Sequence, residues 1–170
     1  MILGWDGQQP ATEPGNPDIV YAERQQGKLS RIDMTTGDPD EMVALGQQLQ
    51  NRHVKYTEAT IAGSSSQLRE GEAVLFVAGI DREEPGWPLV DSLLQLFGSR
   101  IFYLGKIGAA SRFKLVHNLM IGLHRAVLAE GLMFGEAMGF DASSTLEVLR
   151  QSPAWSGVME TKGKKMVLAD

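Results

Sequence analysis

Apolar and polar positions along this chain fall into two regimes, of which the second is the plainer. From about Ala109 to Met138 there is no proline and little β-branching. Apolar residues recur there at helical spacing: Phe113, Val116, Met120, Leu123 and Val127 on one line, Leu115, Leu119, Ala126 and Met133 beside it. The pattern predicts one helix of roughly 30 residues, about 45 Å long. Gly105 and Gly108 mark a turn before it, and Gly139 predicts a left-handed stop after it. Apolar side chains cover most of the circumference, so neighbours are needed on several sides. Gly131, Gly135 and Gly139 recur every four residues, which predicts a second helix approaching closely there.

Upstream the periodicity alternates. Residues 1–30, rich in proline, glycine and glutamine, read as an irregular segment in which only Asp18 to Ala22 suggests a short strand. Arg31 to Thr35 reads as a strand, followed by Asp38 as a helix cap with Pro39 at the first position and Glu41 at capping-box spacing. Met42, Leu45 and Leu49 form the buried stripe expected of that helix. Val54 to Ile61 predicts the next strand, running into Gly63 and the serines Ser64 to Ser66. Ala73 to Ala78 is a continuous apolar run, hence a strand covered on both faces. A loop from Asp81 to Gly86 leads to a helix from about Pro88, with Leu89, Leu93, Leu96 and Phe97 inward and Gly98 as its stop. Arg100 to Leu104 is a final strand, and two short helices, Ser143 to Arg150 and about Ala154 to Leu168, follow the long one. The fold class is therefore α/β followed by all-α, divided as 1–30, 31–105 and 106–170.

Composition narrows the chemistry. The chain has 170 residues, 43% of them apolar, a formal net charge of −5 and no cysteine. Disulfides, thiol nucleophiles and cysteine-ligated metals are excluded. An acidic chain without a basic cluster argues against nucleic acid. The most apolar window, 119–138, is broken by His124, Arg125, Glu130 and Glu136, which argues against a membrane span. No secretion signal is visible at the N-terminus, so a cytoplasmic protein is the expectation. His117 and His124 stand about 10 Å apart along a helix, too far to share a metal, and His53 has no partner at ligand spacing. Glu130 and Glu136 read as charges on the exposed part of the long helix.

Two polar residues interrupt the apolar helix near its start. Lys114 and Asn118 are four apart and share a face. A lysine near a helix N-terminus opposes the macrodipole, and burial would lower its pKa further, which suits proton transfer near neutral pH. On the pair alone, a solvated lysine and an idle asparagine are the commoner meaning. Gly63 to Ser66 reads either as a flexible loop or as a backbone nest suited to a carboxylate or phosphate. It lacks the Gly-x-Ser-x-Gly form of a serine hydrolase. No Gly-x-Gly-x-x-Gly dinucleotide fingerprint occurs, since Gly105-Lys106-Ile107-Gly108 has only two glycines at the wrong spacing.

Three stretches taken together resemble the β-hydroxyacid dehydrogenase family, which includes 3-hydroxyisobutyrate dehydrogenases and glyoxylate or succinic semialdehyde reductases. They are Ile32-Asp33-Met34-Thr35-Thr36 with Asp38-Pro39, then Glu58 to Ser65, then Gly105 and Gly108 leading to Lys114 and Asn118. The resemblance implies the later part of a Rossmann-like NAD(P)-binding domain over 31–105. A long interdomain helix and the start of an all-α dimerisation and substrate domain would occupy 106–170. It also implies that Lys114 is the acid–base residue, that Asn118, Gly63 and Ser64 hold a small hydroxy-acid or aldehyde substrate, and that Thr35 lies against NAD or NADP. The chain departs from the family pattern at Ala62, where a serine is usual, and at Ala110, where a glycine is usual. It would correspond to the middle of such an enzyme, without the glycine-rich unit upstream and without the later helices. A homodimer or larger assembly is expected, because the long apolar helix needs cover. The alternative is a non-catalytic remnant or oligomerisation module of the same fold.

Overall fold

The structure, a computed structural model, describes residues 19–25 and 28–168, with side chains from Ser30 onward. The loop reading of residues 1–18 lies outside the described residues. The chain divides into two compact units, 1–115 and 116–170.

In the first unit, five strands among the described residues form one mixed sheet in the order β1-β2-β3-β4-β5. They are β1 (Ile19–Gln25), β2 (Lys28–Asp33), β3 (Val54–Ala62), β4 (Val74–Ala78) and β5 (Arg100–Tyr103). β1 runs antiparallel to β2, β2 parallel to β3, β3 antiparallel to β4 and β4 parallel to β5. The short strand read over Asp18 to Ala22 is present and runs from Ile19 to Gln25, while residues 28–30 are strand where an irregular segment was read. The polar residues of 23–30 hid an edge pair that carries no apolar alternation.

The helix α1 (Pro39–Asn51) starts as expected, with the Asp38 side chain accepting from the amides of Asp40 and Glu41. Its fully buried residue is Gly46, where a Cβ would lie 2.8 Å from Ile107 and 3.1 Å from Tyr56. Met42, Leu45 and Leu49 are half-buried around it. β4 is buried on both faces, as its unbroken apolar run required. One face, with Ile32, Ala59, Leu75 and Val77, packs on α3 (Trp87–Leu94) through Val90 and Leu94. The other, with Ala62, Phe76 and Ala78, receives Ala110 at the start of α4 (Ala109–Ala137).

Two expectations for α3 are corrected. Leu96 is 70% exposed, because the helix ends at Leu94 and the next residues leave its face. Gly98 has no left-handed φ; it is a glycine because β4's approach leaves no room for a side chain. Gly139, by contrast, has φ 87°, and the amide of Phe140 returns to Gly135 O at 3.0 Å, so the long helix stops as its sequence indicated.

The second unit packs the rest of α4 against α5 (Ala142–Arg150), a π-turn at Met159–Gly163 and α6 (Lys164–Val167), around Leu128, Leu132, Leu146, Val158 and Met159. The last helical stretch thus begins several residues later than Ala154. Of the glycine stripe only Gly135 meets another helix, with its missing Cβ 3.0 Å from Thr145; Gly131 meets nothing within 4 Å. Val116, Leu119, Leu123 and Val127 on α4 are exposed. Among the described residues no helix is long and apolar enough to cross a membrane.

Candidate active site

Within the first unit, the sheet sets the first quoted stretch beside the second, and the start of α4 meets the second. Parallel pairing sets Asp33 opposite Glu58, so the segment ending in Thr35 lies beside β3. Two polar contacts then tie β3 to the start of α4. Ser111 Oγ donates to Glu58 Oε1 at 3.3 Å, and Lys114 Nζ donates to Ile61 O at 2.5 Å. Both pairs are 53 residues apart, so strand and helix are joined in one register.

Lys114 is only 8% exposed, and burial holds its pKa below the ordinary lysine value, since a desolvated ammonium loses hydration that one carbonyl does not replace. The ammonium therefore lies inside the first unit, at the end of the strand that leads into Gly63. Glu58 is 1% exposed, and burial pushes its pKa up. The backbone N–H groups of Gly108, Ser111 and Ala110 and the Ser111 hydroxyl act in the opposite direction. Its second carboxylate oxygen has no hydrogen-bond partner. Tyr56 is buried beside Asp33 and Glu58, and its phenol pKa is raised by burial first and by those carboxylates next.

Thr35 stands at the end of β2, with its amide and hydroxyl both donated to Asp33 Oδ1, at 3.1 and 2.7 Å. Gly63 and Ser64 are exposed at the end of β3. Ser64 caps the short helix α2 (Ser65–Arg69), accepting from the Gln67 amide while its own N–H is donated to Gln67 Oε1 at 2.8 Å. The serine run is thus a helix start, and one of the two expected backbone donors already has a partner. Asn118 belongs to the second unit, is exposed, and has its Oδ1 3.5 Å from His117 Nδ1. Ala62 and Ala110 pack in one small apolar cluster. A cleft of about 680 Å³ lined by Val43, Gln47, Asp81, Tyr103 and Lys106 contains none of the expected site residues.

Glu58 and Ser111 were not singled out from the sequence. The available signal was an acidic residue inside a strand with both neighbouring strands buried, where an unpaired charge is costly.

The suitability for a dinucleotide can be judged at the glycines. Gly105 (φ 97°) and Gly108 (φ 89°) follow β5 and open α4, but a Cβ on Gly108 would meet Val43 at 2.6 Å. That turn is filled by protein and does not cradle a pyrophosphate. Thr35 lies just past the carboxyl end of β2, the strand end at which open α/β sheets bind ligands.

Residues 108–170, a little over a third of the chain, match the family model described as NAD-binding of NADP-dependent 3-hydroxyisobutyrate dehydrogenase. Glyoxylate/succinic semialdehyde reductase 2, chloroplastic, of Arabidopsis thaliana is 26% identical over 136 residues, 80% of this chain and 37% of that one. In sequence the chain is similar to 3-hydroxyisobutyrate dehydrogenase and to glyoxylate/succinic semialdehyde reductase. A crystal structure of 3-hydroxyisobutyrate dehydrogenase from Salmonella typhimurium superposes with a TM-score of 0.74 at 19% identity, covering 83% of this chain and 49% of that one. The dehydrogenase fold, Rossmann-like sheet and following helices, is shared. The Homo sapiens protein named cytokine-like nuclear factor N-PAC is 28% identical over 131 residues, 77% of this chain and 23% of that one. The chain thus spans less than half the length of the curated relatives it matches.

Proposed function

We propose that this chain forms the proton-transfer part of an NAD(P)-dependent oxidoreductase that moves a hydride to or from a small β-hydroxy acid or semialdehyde. The observation that carries this reading is the buried Lys114 ammonium, held by Ile61 O two residues before Gly63. A lysine with a lowered pKa gives up and regains its proton closer to neutral pH. One of its three Nζ hydrogens goes to Ile61 O, which leaves two for a substrate oxygen. In reduction Lys114 protonates the carbonyl oxygen as it becomes a hydroxyl; in oxidation the neutral amine takes that proton back. A nicotinamide, when bound, supplies or accepts the hydride. Gly63 and Ser64 receive the substrate carboxylate, with the Gln67 side chain giving way at the Ser64 amide. Asn118 holds the substrate and Thr35 lies against the cofactor.

The test is a fluorescence titration of the full chain with NADH and NADPH, followed by an assay with succinic semialdehyde, glyoxylate and their hydroxy-acid counterparts. Saturable binding and consumption of reduced cofactor are expected. A folded chain that neither binds nor turns over defeats the enzyme reading.

The second reading, a non-catalytic assembly module, draws on the exposed apolar residues of α4 and on the relative named as a nuclear factor. Under both readings a second copy covers that face. Sedimentation at micromolar concentration is expected to give a dimer or larger mass, and a monomeric mass overturns the assembly claim. A cytoplasmic location belongs to the same proposal.

A further inference from the structure

The buried carboxylate of Glu58 has no part in the proton transfer just described, yet it lies against the helix that carries Lys114. An α-helix leaves its first amides without intrahelical acceptors, and a side chain just before it normally caps them. Here the residue before α4 is Gly108, in a left-handed conformation (φ 89°) and with no side chain to offer. The anion comes instead from a neighbouring strand. Glu58 is 1% exposed, bonded to Ser111 Oγ, and faces the N–H groups of Gly108, Ala110 and Ser111. A negative group at that end also complements the helix macrodipole.

We propose that Glu58 is a positioning residue: by gripping the first turn of α4 it fixes the register in which Lys114, one turn later, meets Ile61 O. Ser111, fully buried, is the intermediary. A lysine side chain has four rotatable bonds, and a single carbonyl contact restrains it only if the backbone carrying it is fixed. Glu58 and Ile61 lie three apart on β3, Ser111 and Lys114 three apart on α4. Loss of the first contact frees the helix start to shift, and the second is lost with it. The functional meaning of this grip rests on the proton-transfer reading of Lys114; the grip itself does not.

The experiment reads Lys114 directly. The full chain is acetylated under limiting reagent at neutral pH, and the rate at each lysine is followed by peptide mass spectrometry, with Lys162, Lys164 and Lys165 as internal references. In Glu58→Gln the rate at Lys114 relative to the references is expected to rise about tenfold, the size of effect that losing a helix cap has on local opening. Ser111→Ala, which deletes one contact only, is expected to move it in the same direction by less. Leu94→Ala, a cavity on the opposite face of the sheet, controls for general loosening and should leave Lys114 slow. An unchanged Lys114 rate in folded Glu58→Gln, or an equal rise in Leu94→Ala, overturns the proposal. If Glu58→Gln does not fold, Ser111→Ala decides: a rise supports the grip and no change refutes it. No cofactor or turnover enters this readout, so failure of the dehydrogenase reading and failure of the grip are separate results.

Discussion

Replacing Lys114 by alanine is expected to lower kcat by about 10²–10⁴-fold in a preparation that turns over hydroxy acid, with KM changed far less. In the proposed mechanism the ammonium acts where the substrate oxygen changes its proton, an interaction of the transition state more than of the bound substrate. Lys114→Arg should fare little better in the oxidation direction, because a guanidinium keeps its charge and cannot take a proton. The same residue leaves a mark on stability. Burial lowers its pKa, so the folded chain binds that proton less tightly than the unfolded chain. The contribution of Lys114 to stability therefore rises with pH from the folded-state pKa up to the ordinary lysine value near 10.5 and levels off above it. Urea midpoints measured across that window should show this rise in the parent chain and lack it in Lys114→Met. An active Lys114→Ala, or identical pH slopes, would remove the chemical role given to this side chain.

How far the molecule could be read from its sequence depends on whether a residue's role follows from its own neighbours along the chain. The long helix was legible because thirty residues without proline and a terminal glycine leave few alternatives, and Gly139 does adopt the left-handed conformation. Asp38 before Pro39 was legible for the same local reason. β4 was legible from its unbroken apolar run. Three things were not. The full length of the strand at Ile19–Gln25 was one: only Asp18 to Ala22 was read as strand, because the polar residues that continue it pair along the sheet edge with β2. Glu58 looked like an ordinary charged residue, since its burial depends on a helix start 50 residues away. Gly98 was assigned to the wrong cause: the sequence shows a glycine after a helix, while the reason for it lies on another strand. The site follows the same division. Lys114 was singled out because a family pattern marks it, whereas Glu58 and Ser111 needed three-dimensional contact to be noticed.

Gly98→Ala is therefore expected to be the most damaging single methyl in the first unit. Built on the backbone, that Cβ lies 1.9 Å from Ala73 O and 2.7 Å from Ala73 C, well inside any attainable contact. The obstacle is backbone and cannot rotate away. Ala73 is fully buried at the entry to β4, and Glu72 and Gly98 form an antiparallel bridge that fixes the approach. Relief requires either shifting the start of β4, which is paired on both sides, or moving the end of α3, whose Leu94 is 1% exposed in the same core. Overpacking that displaces backbone costs about 3 kcal/mol or more, a large share of the roughly 5–15 kcal/mol that holds a domain together. Gly86→Ala is the matched control, because a methyl there meets nothing within 4 Å and its φ of −80° suits any residue. Urea unfolding followed by the fluorescence of Trp87, which packs edge-on to Tyr103 in the α3 core, should separate the two. Gly86→Ala should stay within about 0.5 kcal/mol of the parent, the usual range for surface changes. A Gly98→Ala midpoint equally close to the parent would mean that β4 and the end of α3 do not approach as described, and the packing of this sheet face would have to be redrawn.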